Sequence, residues 1–152
     1  MNTTTAAPGG TDALYAAEDR AATAAGVRRY RRFTELSAHV AAVVTSDWWD
    51  QRFPDAPAAV HVERRSRNAT YSAAVHHPAL GDAAVIAIID GRHWSTHVVL
   101  HELAHVATRG DGHGPEFRSA LIALWRREAG IYAAATLVAE LRAAGFPVDL
   151  NE

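Results

Sequence analysis

Three polar side chains stand inside an otherwise apolar run: His101, Glu102 and His105, surrounded by Val98, Val99, Leu103, Val106 and Ala107. The pattern predicts a helix, in which residues four apart lie one turn apart on one face. Apolar neighbours put such a helix in or against the core. Burying two imidazoles and a carboxylate is costly unless each finds a partner. One metal ion gripped by both imidazoles satisfies them. Glu102 is rotated by about 100° from the preceding histidine and so flanks the ion without binding it. The H-E-x-x-H spacing thus points to a carboxylate placed to act as general base on a water beside a metal. The competing reading is a surface helix with incidental histidines.

Composition narrows the donors. The chain of 152 residues has no cysteine, and all fifteen basic residues are arginine. Disulfides, thiol nucleophiles, Cys-based zinc knuckles, Schiff-base lysines and P-loop lysines are excluded. Any metal must be held by His, Asp or Glu. The values of 49% hydrophobic and 21% charged fit one globular domain with a real core. The formal charge is −2, so strong nucleic-acid binding is not expected of this chain alone. The cluster Arg28, Arg29, Arg31 and Arg32 around Tyr30 reads as a solvated helix end or linker, with contact to an acidic partner as the alternative. No run is long and apolar enough for a membrane span, and residues 1–10 read as a disordered tail, not a secretory signal. A cytoplasmic setting is expected.

Periodicity divides residues 11–152 as a single domain of α+β class. A helix is predicted over Asp12–Ala25, stopped by Gly26. A second begins after Thr34, carries Leu36, Val40, Val43 and Val44, and runs through Trp48 and Trp49 until Pro54 and Pro57. Val60 and Val62, Thr70–Val75 and Ala83–Ile89 read as three strands. The last is almost wholly apolar, hence central or buried on both faces. Turns at Asn68 and Pro78–Gly81 are short, which predicts a mostly antiparallel meander. Ser95 or Thr96 caps the metal helix, which runs to about Arg109 and breaks at Gly110-Asp111-Gly112. Pro115 opens the next helix and Gly130 precedes the last, Ile131–Ala144.

A catalytic zinc needs a third protein ligand and an open position. His113 is the leading candidate, because the glycine-flanked break lets the chain turn back. Glu116 is the rival ligand; it could equally fix an imidazole tautomer or serve as a helix N-terminal acid. Glu116 or Asp111 as a fourth ligand would close the site and make it structural.

His101-Glu102-Leu103-Ala104-His105 followed by Asp111-Gly112-His113-Gly114-Pro115-Glu116-Phe117 resembles the SprT-like (Spartan-type) zinc metalloproteases, in which H-E-x-x-H precedes a loop and H-G-x-x-F. The likeness covers about residues 95–127. The chain is also similar to a group of short actinobacterial and phage metallohydrolases, where a stretch like Ser46-Asp47-Trp48-Trp49 to Arg52-Phe53-Pro54 precedes the motif. The resemblance implies a zincin-like core with zinc on His101, His105 and His113, Glu102 as general base, and a peptide or protein substrate. The spacer before His113 is shorter than in many SprT-like proteins. The zinc ribbon or DNA-binding tail of several relatives is missing, so DNA-linked proteolysis does not carry over.

Other residues are weaker candidates. His93 and His97 could line the cleft, with His93 a possible donor to a developing oxyanion. Tyr71 and Tyr132 are possible transition-state donors. His76 and His77 read as surface residues or a weak second metal site, and Trp48 and Trp49 as core or a lid. The expected activity is peptide hydrolysis by a metal-activated water. The alternatives are hydrolysis of a non-peptide amide or ester, and a non-catalytic zinc-binding interaction module.

Overall fold

A computed structural model describes residues 10–69, 72–76, 82–91, 93–110 and 112–149. The tail, Thr70, Tyr71, His77, the Pro78–Gly81 turn and Asp111 lie outside the described residues. The chain is a mixed α and β structure of six helices and one small sheet, in the order α1 (Thr11–Ala25), α2 (Phe33–Val44), α3 (Asp47–Arg52), β1 (Ala59–Arg65), β2 (Ala73–His76), β3 (Ala83–Ile89), α4 (Thr96–Thr108), α5 (Pro115–Glu128) and α6 (Ile131–Ala143).

The Ala-rich α1 stops where Gly26 takes a left-handed conformation (φ 65°). The amides of Gly26 and Val27 then bond back to the carbonyls of Thr23 and Ala22, closing the last turn. The predicted second helix is two. The chain leaves helical geometry at Thr45 and Ser46, and the Ser46 hydroxyl accepts the Trp49 amide at 3.2 Å, restarting it as α3. This break turns Trp49 into the core, where it is 2% exposed, and leaves Trp48 half-buried.

The sheet corrects the predicted meander. Its order is β1-β3-β2: β1 pairs with β3 in parallel from Ala59↔Ala83 to Arg65↔Ile89, and β2 pairs with β3 antiparallel. β1 and β2 are sequential yet lie on opposite sides of β3. The reason is burial. β3 is buried at six of its seven positions and needs a partner on each side, while β1 alternates and ends in Glu63, Arg64 and Arg65, suiting it to an edge.

One core runs from sheet to helices. Ile86 and Ile88 meet Leu100 and Leu103 of α4, and these join Leu121, Leu124 and Trp125 of α5, Leu137 and Leu141 of α6, and Leu14 and Ala17 of α1. α1 packs along α6 and reaches α4, which brings an N-terminal helix against the motif helix. The arginine-rich segment is tied down too. Tyr30 N–H donates to the Trp94 carbonyl at 2.9 Å, and Thr96 N–H donates to the Arg28 carbonyl at 3.0 Å. These bonds fix the start of α4. Arg28 itself lies 3.9 Å from Glu35. No helix among the described residues is long and apolar enough to cross a membrane.

Candidate metal centre

α4 carries His101, Glu102 and His105 on buried backbone, at 2%, 3% and 8% exposure. The helix ends at Arg109, which adopts a left-handed conformation (φ 51°). An arginine there costs about 1–2 kcal/mol of backbone strain. Its guanidinium offsets this by bonding the Asp55 carbonyl and, at 2.6 Å, the Asp82 carboxylate. The reversal lets Gly110 meet His105 twice: its amide donates to the His105 carbonyl at 3.3 Å, and its carbonyl accepts from His105 Nδ1 at 2.7 Å. The loop then returns His113 to the helix, and Pro115 starts α5 immediately after.

The three imidazoles converge through their Nε2 atoms. The separations are 3.2 Å for His101–His105, 3.3 Å for His101–His113 and 3.2 Å for His105–His113. A tetrahedral zinc with Zn–N of about 2.0–2.1 Å places its nitrogens about 3.3–3.4 Å apart, so the triangle has the right size. The tautomers agree. A carbonyl only accepts, so His105 carries its proton on Nδ1. His101 Nδ1 is held at 2.7 Å by the Glu18 carboxylate. With the proton on Nδ1 of both rings, the two Nε2 lone pairs face each other, which is repulsive unless a cation lies between them. His, Asp and Glu donors of a possible metal group among the described residues are these three histidines alone. Glu116 does not join them. It is exposed in the first turn of α5, where its charge complements the helix dipole.

Burial sets the protonation states. It pulls the pKa of His101 down to about 3, keeping it neutral as a ligand must be. It pushes Glu102 up to about 8, with the Glu18 charge adding to the rise and Arg65 opposing it. Glu18 is pushed well above the ordinary carboxylate range, first by burial. A cation at the triad would reverse that direction for both carboxylates.

The surroundings are built from residues the sequence reading did not find. Glu18, 2% exposed, is an acid in the buried stripe Leu14, Ala17, Glu18 and Ala21 of α1. That misplaced charge was the available signal. Tyr15, one turn earlier, stacks on the His101 ring with centroids 4.7 Å apart, and burial and the charges of Glu102 and Glu18 raise its hydroxyl to about 12. Phe117 touches all three imidazole rings at centroid distances of 4.5–4.9 Å, which fixes their orientation from below.

His93 and His97 lie together beside the triad. They share a cavity of about 250 Å³ with His101, Glu102, Tyr15 and Ser72. Ser72 Oγ lies 2.8 Å from His93 Nδ1 and accepts the Ile89 amide at 3.0 Å. His97 Nε2 lies 2.8 Å from Asp19, so it is occupied away from the triad. Tyr132 stands 72% exposed on α6 and lines no part of this cavity. His76 closes β2. Comparison with family models, with curated proteins and with solved structures returned no match.

Proposed function

We propose that this chain is a zinc-dependent metallopeptidase of zincin-like build, related to the SprT-like proteases by its H-E-x-x-H and H-G-x-x-F segments. The observation that carries the reading is the 3.2–3.3 Å triangle of Nε2 atoms with an uncoordinated buried glutamate beside it. His101, His105 and His113 would hold the ion, and three neutral imidazoles leave its double charge undiminished to polarise a carbonyl and acidify water. A purely structural site has no need of Glu102.

Glu102 takes the proton of the attacking water and delivers it to the departing amine. The carboxylate of Glu18 holds His101 in the Nδ1–H tautomer. Of the polar side chains lining the cavity beside Glu102, Tyr15 and His93 would meet a developing oxyanion, a role the sequence suggested for His93 and also for Tyr71 and Tyr132. The substrate strand is β2. Among the described residues β1 and β2 each have a strand partner on one side only, and β2 is favoured because Ser72, just before it, lines the cavity. The cysteine-free composition supports a cytoplasmic setting.

Digestion of a peptide library by the zinc-loaded protein, read by mass spectrometry, tests the reading. Wild type should cut and Glu102→Gln should bind zinc yet lose at least about a hundredfold in rate. Cleavage by the variant at the wild-type rate would refute the role of Glu102. Intact peptides alongside turnover of small amides or esters would reassign the substrate.

A further inference from the structure

We propose that the groove between α3, α5 and the segment 147–149 binds an acidic peptide segment, with one carboxylate seated on Arg118. The groove holds about 930 Å³, near the top of the roughly 300–1,000 Å³ range of ligand sites, and lies outside the metal cavity. Its described lining residues include Arg52, Arg118, Arg126 and Arg127 against the acids Glu116 and Asp149, and Arg127 also lies 3.5 Å from Glu128 on its own helix. This positive excess sits on a chain of net charge −2.

Arg118 carries the argument. It is 8% exposed, and buried charges are ordinarily paired with an opposite charge. Its guanidinium donates only to the carbonyls of His113 at 2.7 Å and Pro147 at 3.2 Å, and no carboxylate among the described residues lies within ion-pair distance. Burial lowers its pKa. A guanidinium has five donors, so capacity remains for an incoming carboxylate. Within the same lining, Arg127 lies over the half-buried Trp48 ring at 5.0 Å, giving the wall an apolar face edged by charge. That stacking also covers the ring face a nucleobase would need, and the chain's net charge of −2 disfavours nucleic acid, so the groove favours peptide.

The groove starts at Pro115, two residues past His113, and Arg118 grips the His113 carbonyl. An acidic segment docked there would lie against the loop that carries the third imidazole. Binding itself does not rest on the peptidase reading and is measured without turnover.

The test is fluorescence anisotropy on the full chain with a short labelled peptide of alternating Glu and Gly. Arg126 and Arg127 are exposed, so their replacement leaves the core intact. Binding should weaken by about tenfold or more in Arg126→Glu/Arg127→Glu and stay within about twofold in Arg28→Glu/Arg31→Glu. No binding by wild type would overturn the proposal. So would equal affinity of the groove variant, or tighter binding of a single-stranded DNA of equal charge.

Discussion

Replacing Glu18 by glutamine keeps the shape of the side chain and removes its charge. The wild-type carboxylate holds His101 Nδ1 at 2.7 Å, and both groups are 2% exposed. In the metal-loaded protein this is a charge-assisted bond to a ligand whose basicity it raises, and such bonds are about twice as strong as neutral ones. Loss of an outer partner of this kind weakens metal binding by about 10–100-fold, or about 1.4–2.7 kcal/mol. The metal-free protein should respond with the opposite sign. Burial holds the Glu18 carboxyl well above its ordinary range, so at neutral pH it burdens the fold, and its Oε1 has no hydrogen-bond partner among the described residues. A group with a raised folded pKa contributes stability below its unfolded value and loses it as the pH rises. Glutamine has no such loss. Competition against a chromophoric chelator should therefore show weaker zinc binding by Glu18→Gln, while its metal-free form melts at the wild-type temperature or above. Unchanged zinc affinity, or a metal-free form that melts several degrees lower, would refute the reasoning.

Phe117→Ala should cost about 3–5 kcal/mol, since Phe117 is 2% exposed and supports all three imidazoles; chemical denaturation measures it. Acid should destabilise the metal-free protein. The folded pKa of His101, about 3, lies below the unfolded value of 6.5, so the unfolded chain binds the extra proton and stability is lost as the pH falls from about 6.5 toward 3. Melting curves at pH 8 and pH 5 should show a smaller drop for His101→Gln than for wild type. Glu116→Gln should change zinc affinity by less than about twofold, because that side chain is exposed and outside the triad, and calorimetric titration reads the change.

Local chemistry was readable where a residue type decides the backbone. Gly26 ends α1, Pro115 opens α5 and Gly130 precedes α6 where the sequence places them. The spacing of His101, His105 and His113 puts three imidazoles together because helix geometry and a seven-residue return allow little else. Ser46 was missed because its cap competes with an unbroken helical pattern from Leu36 to Trp49, and a single hydroxyl bond decides the outcome. Strand order was missed because short turns favour sequential pairing, whereas the burial of β3 demands two neighbours. Tyr15 and Glu18 lie more than eighty residues before His101 in sequence, and only the packing of α1 on α6 and α4 brings them to the site.

The central claim is that the three Nε2 atoms enclose a metal ion. Elemental analysis of untagged protein purified without chelator tests it most directly. The account predicts about one zinc per chain, lost in His113→Ala. Protein that holds no metal after incubation with zinc and dialysis would contradict it.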